Sequence, residues 1–436
     1  MQKSYEGIKE MFGMQKTTRI SGFHKLNIEE RLEKVQEFAG LSDDEAALFG
    51  KSGALDISTA DRMIENVIGT FELPLGIVTN MVVNSKEVLV PLAVEEASVV
   101  AALSNAAKMV RSGGGFFTSS TRPVMIGQIQ LTGLSDPFAA KMQILEQRQE
   151  IIALANEQDP LLVEHGGGCR DIEVRVLDSA QGPMVVTHML VDTCDAMGAN
   201  AVNTMAEALA PFIEKLTRGR VFLRILSNLA DRRLVRARCL VRQEAIPPGP
   251  EVIEGILSAW AFADADPYRA ATHNKGIMNG ISALTISTGN DFRAIESGAH
   301  AYASRSGQYK PLTTWEKDRE GNLLGSIEVP MALGLIGGAT AVHPVAKTVV
   351  KILGVKSALE LGEIAAAVGL GQNLAALRVL AAEGVQRGHM SLHAKNIAVM
   401  AGAVGREVDE VSGRLVAEKK VRMDRAKELL KQLRQG

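Results

Sequence analysis

Cysteine is scarce and ungrouped: Cys169, Cys194 and Cys239 are the only three in 436 residues. An odd count without a C-x-x-C pair excludes a disulfide framework and fits free thiols in a reducing compartment. Net charge is almost absent too, at −2, with 48 basic and 50 acidic residues interspersed along the chain. That excludes the broad basic footprint of a nucleic-acid or membrane-surface binder and leaves a small molecule as the expected partner. No run reaches the roughly 18 apolar residues of a membrane span. Lys3, Glu6, Lys9 and Glu10 stand where a secretory leader needs an apolar stretch. The expectation is a cytoplasmic protein without membrane or nucleic-acid partners. No internal repeat is visible.

What the chain does have is length and apolar content, 46%, for two or three domains with substantial cores. The first twenty residues read as a polar arm, either mobile or packed on the body. Residues 27–38 form an amphipathic helix capped by Asn27, Ser42 to Glu45 cap a second, and Ser58 to Met63 start a third. Two apolar runs, 75–83 and 87–92, flank Asn84-Ser85 as a hairpin. The stretch ENVIGTFELP, 65–74, is too apolar for an exposed loop and reads as a core strand. Glu95 and Glu96 fall in the first turn of an alanine-rich helix over 99–110, where the helix dipole favours acids.

After Arg111-Ser-Gly-Gly-Gly115 the character changes. A strand over 123–134, a long helix over 136–158, strands over 172–177 and 184–191, a helix over 200–215 and a strand over 221–227 follow in turn. That order is a split βαβ, ferredoxin-like unit. Later, LGLIGGAT, 333–340, suits close backbone approach, and 357–380 reads as two buried helices parted by Gly369-Leu370-Gly371. The Lys/Arg-rich end, 418–435, is a solvated helical face. The fold class is α/β (α+β): a large mixed domain over 1–120 and 230–385, an inserted ferredoxin-like nucleotide domain over 121–229, and a C-terminal helical flap over 386–436.

The densest polar stretch, 266–291, packs Arg269, Thr272, His273, Asn274, Lys275, Asn279, Asn290 and Asp291 among small residues. Burying so many donors is costly unless they pair with one another or with a ligand. Asn274 and Gly276 make Lys275 read as a turn or helix start aimed inward. A desolvated lysine beside Asp291 polarises a carbonyl oxygen; the alternative is a surface lysine in a loop. Residues 192–200, DTCDAMGAN, join a strand to a helix through small residues that let a pyrophosphate approach backbone N–H groups, or simply form a turn. They are not G-x-G-x-x-G. Asp159 suits an adenosine ribose and repels a 2′-phosphate, which favours NADH over NADPH; alternatively it is a helix-end acid before Pro160. His389 and His393 are four apart on one helical face. Without an HExxH glutamate or a completing Cys or acid cluster they are no metal site, and a histidine there serves as proton donor.

Seven ordered motifs carry a family resemblance: ENVIGTFELP at 65–74, VEEAS at 94–98, DAMGAN at 195–200, DPYRAATHNKGIMNG at 266–280, TGND at 288–291, GGAT at 337–340 and RGHMSLHAKN at 387–396. The chain past about Thr18 resembles 3-hydroxy-3-methylglutaryl-CoA reductases, most of all the class II enzymes of bacteria and archaea. The resemblance implies reduction of HMG-CoA to mevalonate and CoA by two nicotinamide cofactors, or the reverse, with no metal. It implies that Lys275 polarises the thioester and aldehyde oxygens, that Glu96 supplies a proton, that Asp291 ties the two together, and that His389 protonates the departing thiolate. By the same matching, Ser98, Arg269, Thr272 and Asn279 meet the HMG group and His393 lies near the CoA end. Asp195, Ala196, Met197, Gly198, Ala199 and Asn200 receive the dinucleotide, with Asn228 near the nicotinamide. Lys25, in GFHK, stands near the family's basic residue for the CoA phosphates. A homodimer or an assembly of dimers is implied, with ENVIGTFELP at its interface.

Two other readings are weighed beside it. A silent acyl-CoA or nucleotide-binding protein needs no proton donor for a leaving thiolate, which Glu96, Lys275, Asp291 and His389 together argue against. An ordinary NAD dehydrogenase for a small alcohol predicts a Rossmann fingerprint that is missing.

Overall fold

A computed structural model describes residues 16–435 apart from 248, 383 and 384, with only the backbone of 385–392. Ten strands form two sheets: β1 (Leu75–Val83), β2 (Lys86–Ala93), β3 (Phe116–Ser120), β4 (Val124–Thr132), β5 (Gly168–Leu177), β6 (Met184–Asp192), β7 (Arg220–Ser227), β8 (Leu234–Val241), β9 (Thr313–Lys317) and β10 (Leu323–Pro330). The expected hairpin forms β1 and β2. Its turn residues Asn84 and Ser85 both have positive φ, 47° and 65°, the twist that suits a two-residue connection. The larger sheet runs β2-β1-β3-β8-β10-β9, antiparallel except where β1 meets β3.

The smaller sheet runs β5-β6-β4-β7 with every neighbouring pair antiparallel. In chain order this is the split βαβ arrangement, each crossover stepping over one strand. The long helix read over 136–158 is two, Pro137–Glu146 and Arg148–Asn156, parted at Gln147.

The central element is Ala358–Ala382, one helix of 25 residues rather than two. Its glycines serve packing instead of termination: a Cβ on Gly369 would lie 2.7 Å from Ile281, and one on Gly371 2.7 Å from Leu103. This helix is long and apolar enough to cross a bilayer, yet 72% of its apolar window is buried inside the protein, as befits a core helix. Each large side chain it buries contributes about 1.5–3 kcal/mol.

One N-terminal expectation is corrected and one of two alternatives is selected. Residues 65–74 form no strand; Ile68 is fully exposed and Phe71 is 91% exposed, so their apolar surface is not used by this chain's own core. The arm is docked from Lys16 onward: Thr18 is buried, its N–H donates to Glu87 at 2.9 Å, and Arg111 closes the cluster on the same carboxylate. At the other end the helices Val385–Met400, Arg406–Ala417 and Met423–Gln435 share a separate small core around Ala394, Val411, Leu415 and Leu429.

Candidate functional site

The polar stretch is one helix, Pro267–Ser287, started by Asp266, whose carboxylate accepts from Arg269 N–H at 3.1 Å, with Pro267 in the first turn. Lys275 therefore sits mid-helix rather than at a helix start. The 3.6-residue period sorts the polar residues into two groups. His273 and Asn274 face inward with Ala270, Ile277, Met278 and Ile281, while Arg269, Thr272, Lys275 and Asn279 form a stripe on the opposite side.

The inward group holds the helix in register. His273 Nε2 meets Thr313 Oγ1 at 2.7 Å and Asn373 Nδ2 at 3.2 Å, and Trp315 Nε1 donates to Asn373 Oδ1 at 2.7 Å. Asn274 donates to Lys310 O and accepts from Leu312 N–H, both at 2.9 Å. Burial, with the Arg269 cation adding to it, pulls His273 down to about 3, so it is neutral at physiological pH.

On the outward stripe Lys275 Nζ pairs with Glu96 Oε2 at 2.7 Å, and Asn279 Nδ2 reaches the same oxygen at 3.4 Å. The inward-aimed, desolvated lysine of the sequence reading is not what forms: the Lys275 side chain is 60% exposed and that of Glu96 40%. Glu96 also lies ahead of the helix rather than in its first turn. That helix, Val99–Val110, begins without acids, after Ser98 in the left-handed region at φ 78°. Ser98 makes no capping bond, which leaves its hydroxyl available at the helix entrance. Burial lowers the Arg269 guanidinium, and Thr272 is exposed.

Asp291 caps the helix Phe292–Ala303 through the N–H groups of Arg293 and Ala294, and pairs with the Arg293 guanidinium at 3.1 Å. The tie to Lys275 and Glu96 that resemblance implies is not formed in this arrangement. The side chain of His389 lies outside the described residues; His393 is exposed on the Val385–Met400 helix.

Ser98 also lines a cavity of about 1190 Å³ between the arm and the Val99–Val110 helix. Arg19, His24, Lys25, Arg31 and Lys108 stand around it, with Ile20, Phe23 and Val35 among its apolar residues. An elongated ligand with an apolar middle and anionic phosphates matches such a lining. Of these basic residues only Lys25 was singled out by sequence. The others are isolated basic residues far apart in the chain, and no local pattern marks them.

In the smaller sheet's domain, β6 leads through the 193–198 loop into the helix Ala199–Thr217, where Gly198 has φ 100°. A Cβ there would lie 2.3 Å from Thr193, so the tight turn requires glycine. The loop rests on the larger domain. Asp195 O accepts from Leu335 N–H at 2.9 Å, Asp195 Oδ1 from Ala358 N–H at 2.7 Å, and Ala196 bridges Ile336. Asn200 and Asn228 are exposed. Asp159 takes the helix-end role: its carboxylate accepts from Leu162 N–H at 2.9 Å and caps Pro160–Glu164. Among the described residues no three His, Cys, Asp or Glu side chains gather as a metal site.

The family model for hydroxymethylglutaryl-coenzyme A reductase matches residues 27–394. A 3-hydroxy-3-methylglutaryl-coenzyme A reductase of Archaeoglobus fulgidus is 62% identical over 418 residues, 96% of this chain and 95% of the relative. A probable reductase of the same name from Borreliella burgdorferi is 36% identical over 346 residues, 77% of each chain. The solved 3-hydroxy-3-methylglutaryl-coenzyme A reductase from Streptococcus pneumoniae superposes with a TM-score of 0.82 at 42% identity, over 95% of this chain and 99% of that one. A class II reductase structure from the same organism, bound to NADPH in open conformations, gives 0.80 at 42% identity over 94% and 100%.

Proposed function

The chain belongs to the hydroxymethylglutaryl-coenzyme A reductase family of NAD(P)H-dependent oxidoreductases, and from that premise we propose which of its residues carry the four-electron reduction of (S)-HMG-CoA to (R)-mevalonate and CoA, or its reverse. The observation that supports the assignment most is the Lys275–Glu96 pair at 2.7 Å, shared with Asn279 and two residues from Ser98 at the cavity wall. A thioester lying along the cavity ends at that pair.

The nicotinamide, when bound, supplies one hydride to the carbonyl carbon in each of the two reductions. Lys275 sets its ammonium against the carbonyl oxygen and stabilises the charge that develops there. Glu96 hands that oxygen a proton, takes it back as the hemithioacetal collapses to the aldehyde, and supplies it again in the second reduction. When the C–S bond breaks, the CoA thiolate, a group of pKa near 8.5, takes a proton from His389 of the flap. Asp291 completes the set once substrate is bound, since catalytic contacts commonly tighten only then. Ser98, Arg269, Thr272 and Asn279 hold the HMG group, the cavity lined by basic residues holds CoA, and His393 serves the CoA end.

The nucleotide is received in the inserted domain, 121–229, at the 195–200 loop and Asn228. Gly198 gives the close backbone approach that a pyrophosphate needs. With its carboxylate already capping a helix, Asp159 gives the ribose preference for NADH little support. A relative from Streptococcus pneumoniae is bound to NADPH, and NADPH is proposed here alongside NADH. The large domain comprises 1–120 and 230–385, and 386–436 is the closing flap. The working unit is a cytoplasmic homodimer joined at 65–74.

The test is absorbance decay of NADPH, and separately NADH, with HMG-CoA, scored against CoA released. Two cofactors oxidised per CoA are expected, and Lys275→Ala should lower kcat by about 10²–10³. Undiminished oxidation by Lys275→Ala would place the oxyanion stabiliser elsewhere, and no oxidation by the wild type would leave a binding protein.

A further inference from the structure

Arg233, immediately before β8, is the one buried lysine or arginine among the described residues, at 2% exposure. It forms no ion pair among them. Its Nη1 donates to Thr193 Oγ1 at 3.1 Å, Ala196 O at 3.0 Å and Met197 O at 3.3 Å; Nη2 donates to Leu333 O, and Nε has no partner. Burial lowers the guanidinium to about 10, with Asp192 and Asp195 opposing the shift, so it stays charged at neutral pH. The Asp192 carboxylate is itself taken by Arg122 at 2.8 Å. A desolvated cation held mainly by carbonyls is a costly way to fill space that an apolar side chain would fill more cheaply.

Its position accounts for it. In a planar trans peptide the carbonyl and the following N–H point in opposite directions. Drawing the Ala196 and Met197 carbonyls onto Arg233 turns the N–H groups of Met197 and Gly198 away from it: Met197 N sits against the 334–336 segment, and Gly198 N–H donates no hydrogen bond among the described residues. The same guanidinium grips Leu333, and the main-chain N–H of Met331 donates to Arg233 O at 3.0 Å. Next along that segment, Gly334 N–H donates to Asn290 Oδ1 at 2.8 Å, beside Asp291. A Cβ on Gly334 would lie 2.5 Å from Met197 N, so the loop is pressed against this segment.

We propose that Arg233 is a positioning residue for the dinucleotide: it orients the Gly198 N–H toward the pyrophosphate and clasps that loop to the 331–335 segment that reaches Asn290. The proposal rests on the reading that the 195–200 loop receives the cofactor. Arg233→Lys keeps the charge and loses the fork. It should raise KM for NADPH roughly tenfold or more, the loss of one charge-assisted hydrogen bond, and weaken inhibition by ADP-ribose equally, with KM for HMG-CoA within about twofold. A merely structural role would lower the active fraction and leave both KM values alone.

If Arg233→Lys does not fold, Gly334→Ala, which wedges the loop while sparing the arginine, should give the same split. Asn200→Asp separates the two claims. An acid at that helix start suits the dipole yet repels a pyrophosphate. Should Asn200→Asp leave KM for NADPH unchanged, the loop reading itself fails. A raised KM in Asn200→Asp, with cofactor KM unmoved in Arg233→Lys and Gly334→Ala, overturns the positioning role alone.

Discussion

His273 is two residues from Lys275 and faces the opposite way, so its chemistry is felt in stability instead of turnover. In the native protein it titrates at about 3, whereas an unfolded chain binds the proton near 6.5. Above that upper value neither state is protonated. Below it the unfolded chain gains a proton that the native chain refuses, and stability falls by up to about 1.4 kcal/mol per pH unit until the native value is reached. From pH 7 to pH 5 the loss is about 2 kcal/mol. Glu87 does not blur this window. Burial raises its carboxyl, but the bonds from Arg111 and Thr18 more than reverse that, to about 2, so its contribution is lost only below the ordinary carboxylate range. Urea titrations of His273→Gln, which keeps an amide near Thr313 and Asn373 without a titrating ring, should show a flatter dependence between pH 7 and pH 5. Identical slopes would move the linkage to another group. Sequence made the polar density here visible, but not that half of it is internal scaffolding. Lys275 stood out by that density, but Glu96 was assigned through resemblance, and their 2.7 Å contact across 179 residues has no local signature.

The helix that carries Lys275 is positioned by the core helix Ala358–Ala382, and their contact depends on missing side chains. Gly369 leaves no room for a Cβ beside Ile281 and Ile277, and Gly280 none beside Val368. Gly369→Val should overpack this seam at a cost of about 3 kcal/mol, read by denaturant unfolding, and should lower kcat because the shifted helix bears Lys275. Unchanged stability would mean the helices do not approach as described. The same glycines explain where sequence reading of elements failed. A helical glycine costs about 1 kcal/mol in propensity, so Gly369-Leu370-Gly371 reads as a break. Tertiary packing overrides that penalty, and likewise carries Asn274-Lys275-Gly276 through mid-helix. At Gln147 nothing local signals the break that splits 136–158. The hairpin and the split βαβ unit were legible because strand alternation and turn residues are local; β3 was not, since FFTSS is short and its pairing with β8 is long-range, and β9 was not, since TTWEK is short and polar although it pairs locally with β10.

At the scale of the whole molecule the stretch 64–71 carries the most exposed of the large apolar side chains among the described residues: Ile68 is fully exposed, Phe71 is 91% exposed, and Ile64 stands exposed beside them. Sequence assigned this stretch to the core because its composition belongs to buried structure, and composition does not say which chain does the burying. In the proposed dimer a second copy does. Because Ile68 and Phe71 touch little of their own chain, replacing both with aspartate should leave the monomer's fold intact. Each large side chain buried at the interface contributes about 1.5–3 kcal/mol, and both copies lose two, so dimerisation weakens by roughly 6–12 kcal/mol, or about 10⁴–10⁹ in Kd. Sedimentation at micromolar protein should show a folded monomer with unchanged circular dichroism. If the proposed dimer sets each nucleotide domain against the partner's substrate domain, as the family resemblance implies, turnover should fall with the dimer fraction and recover as concentration rises. A variant that stays dimeric, or a wild type that is monomeric and fully active, would remove this stretch from the assembly and require each chain to complete its own site.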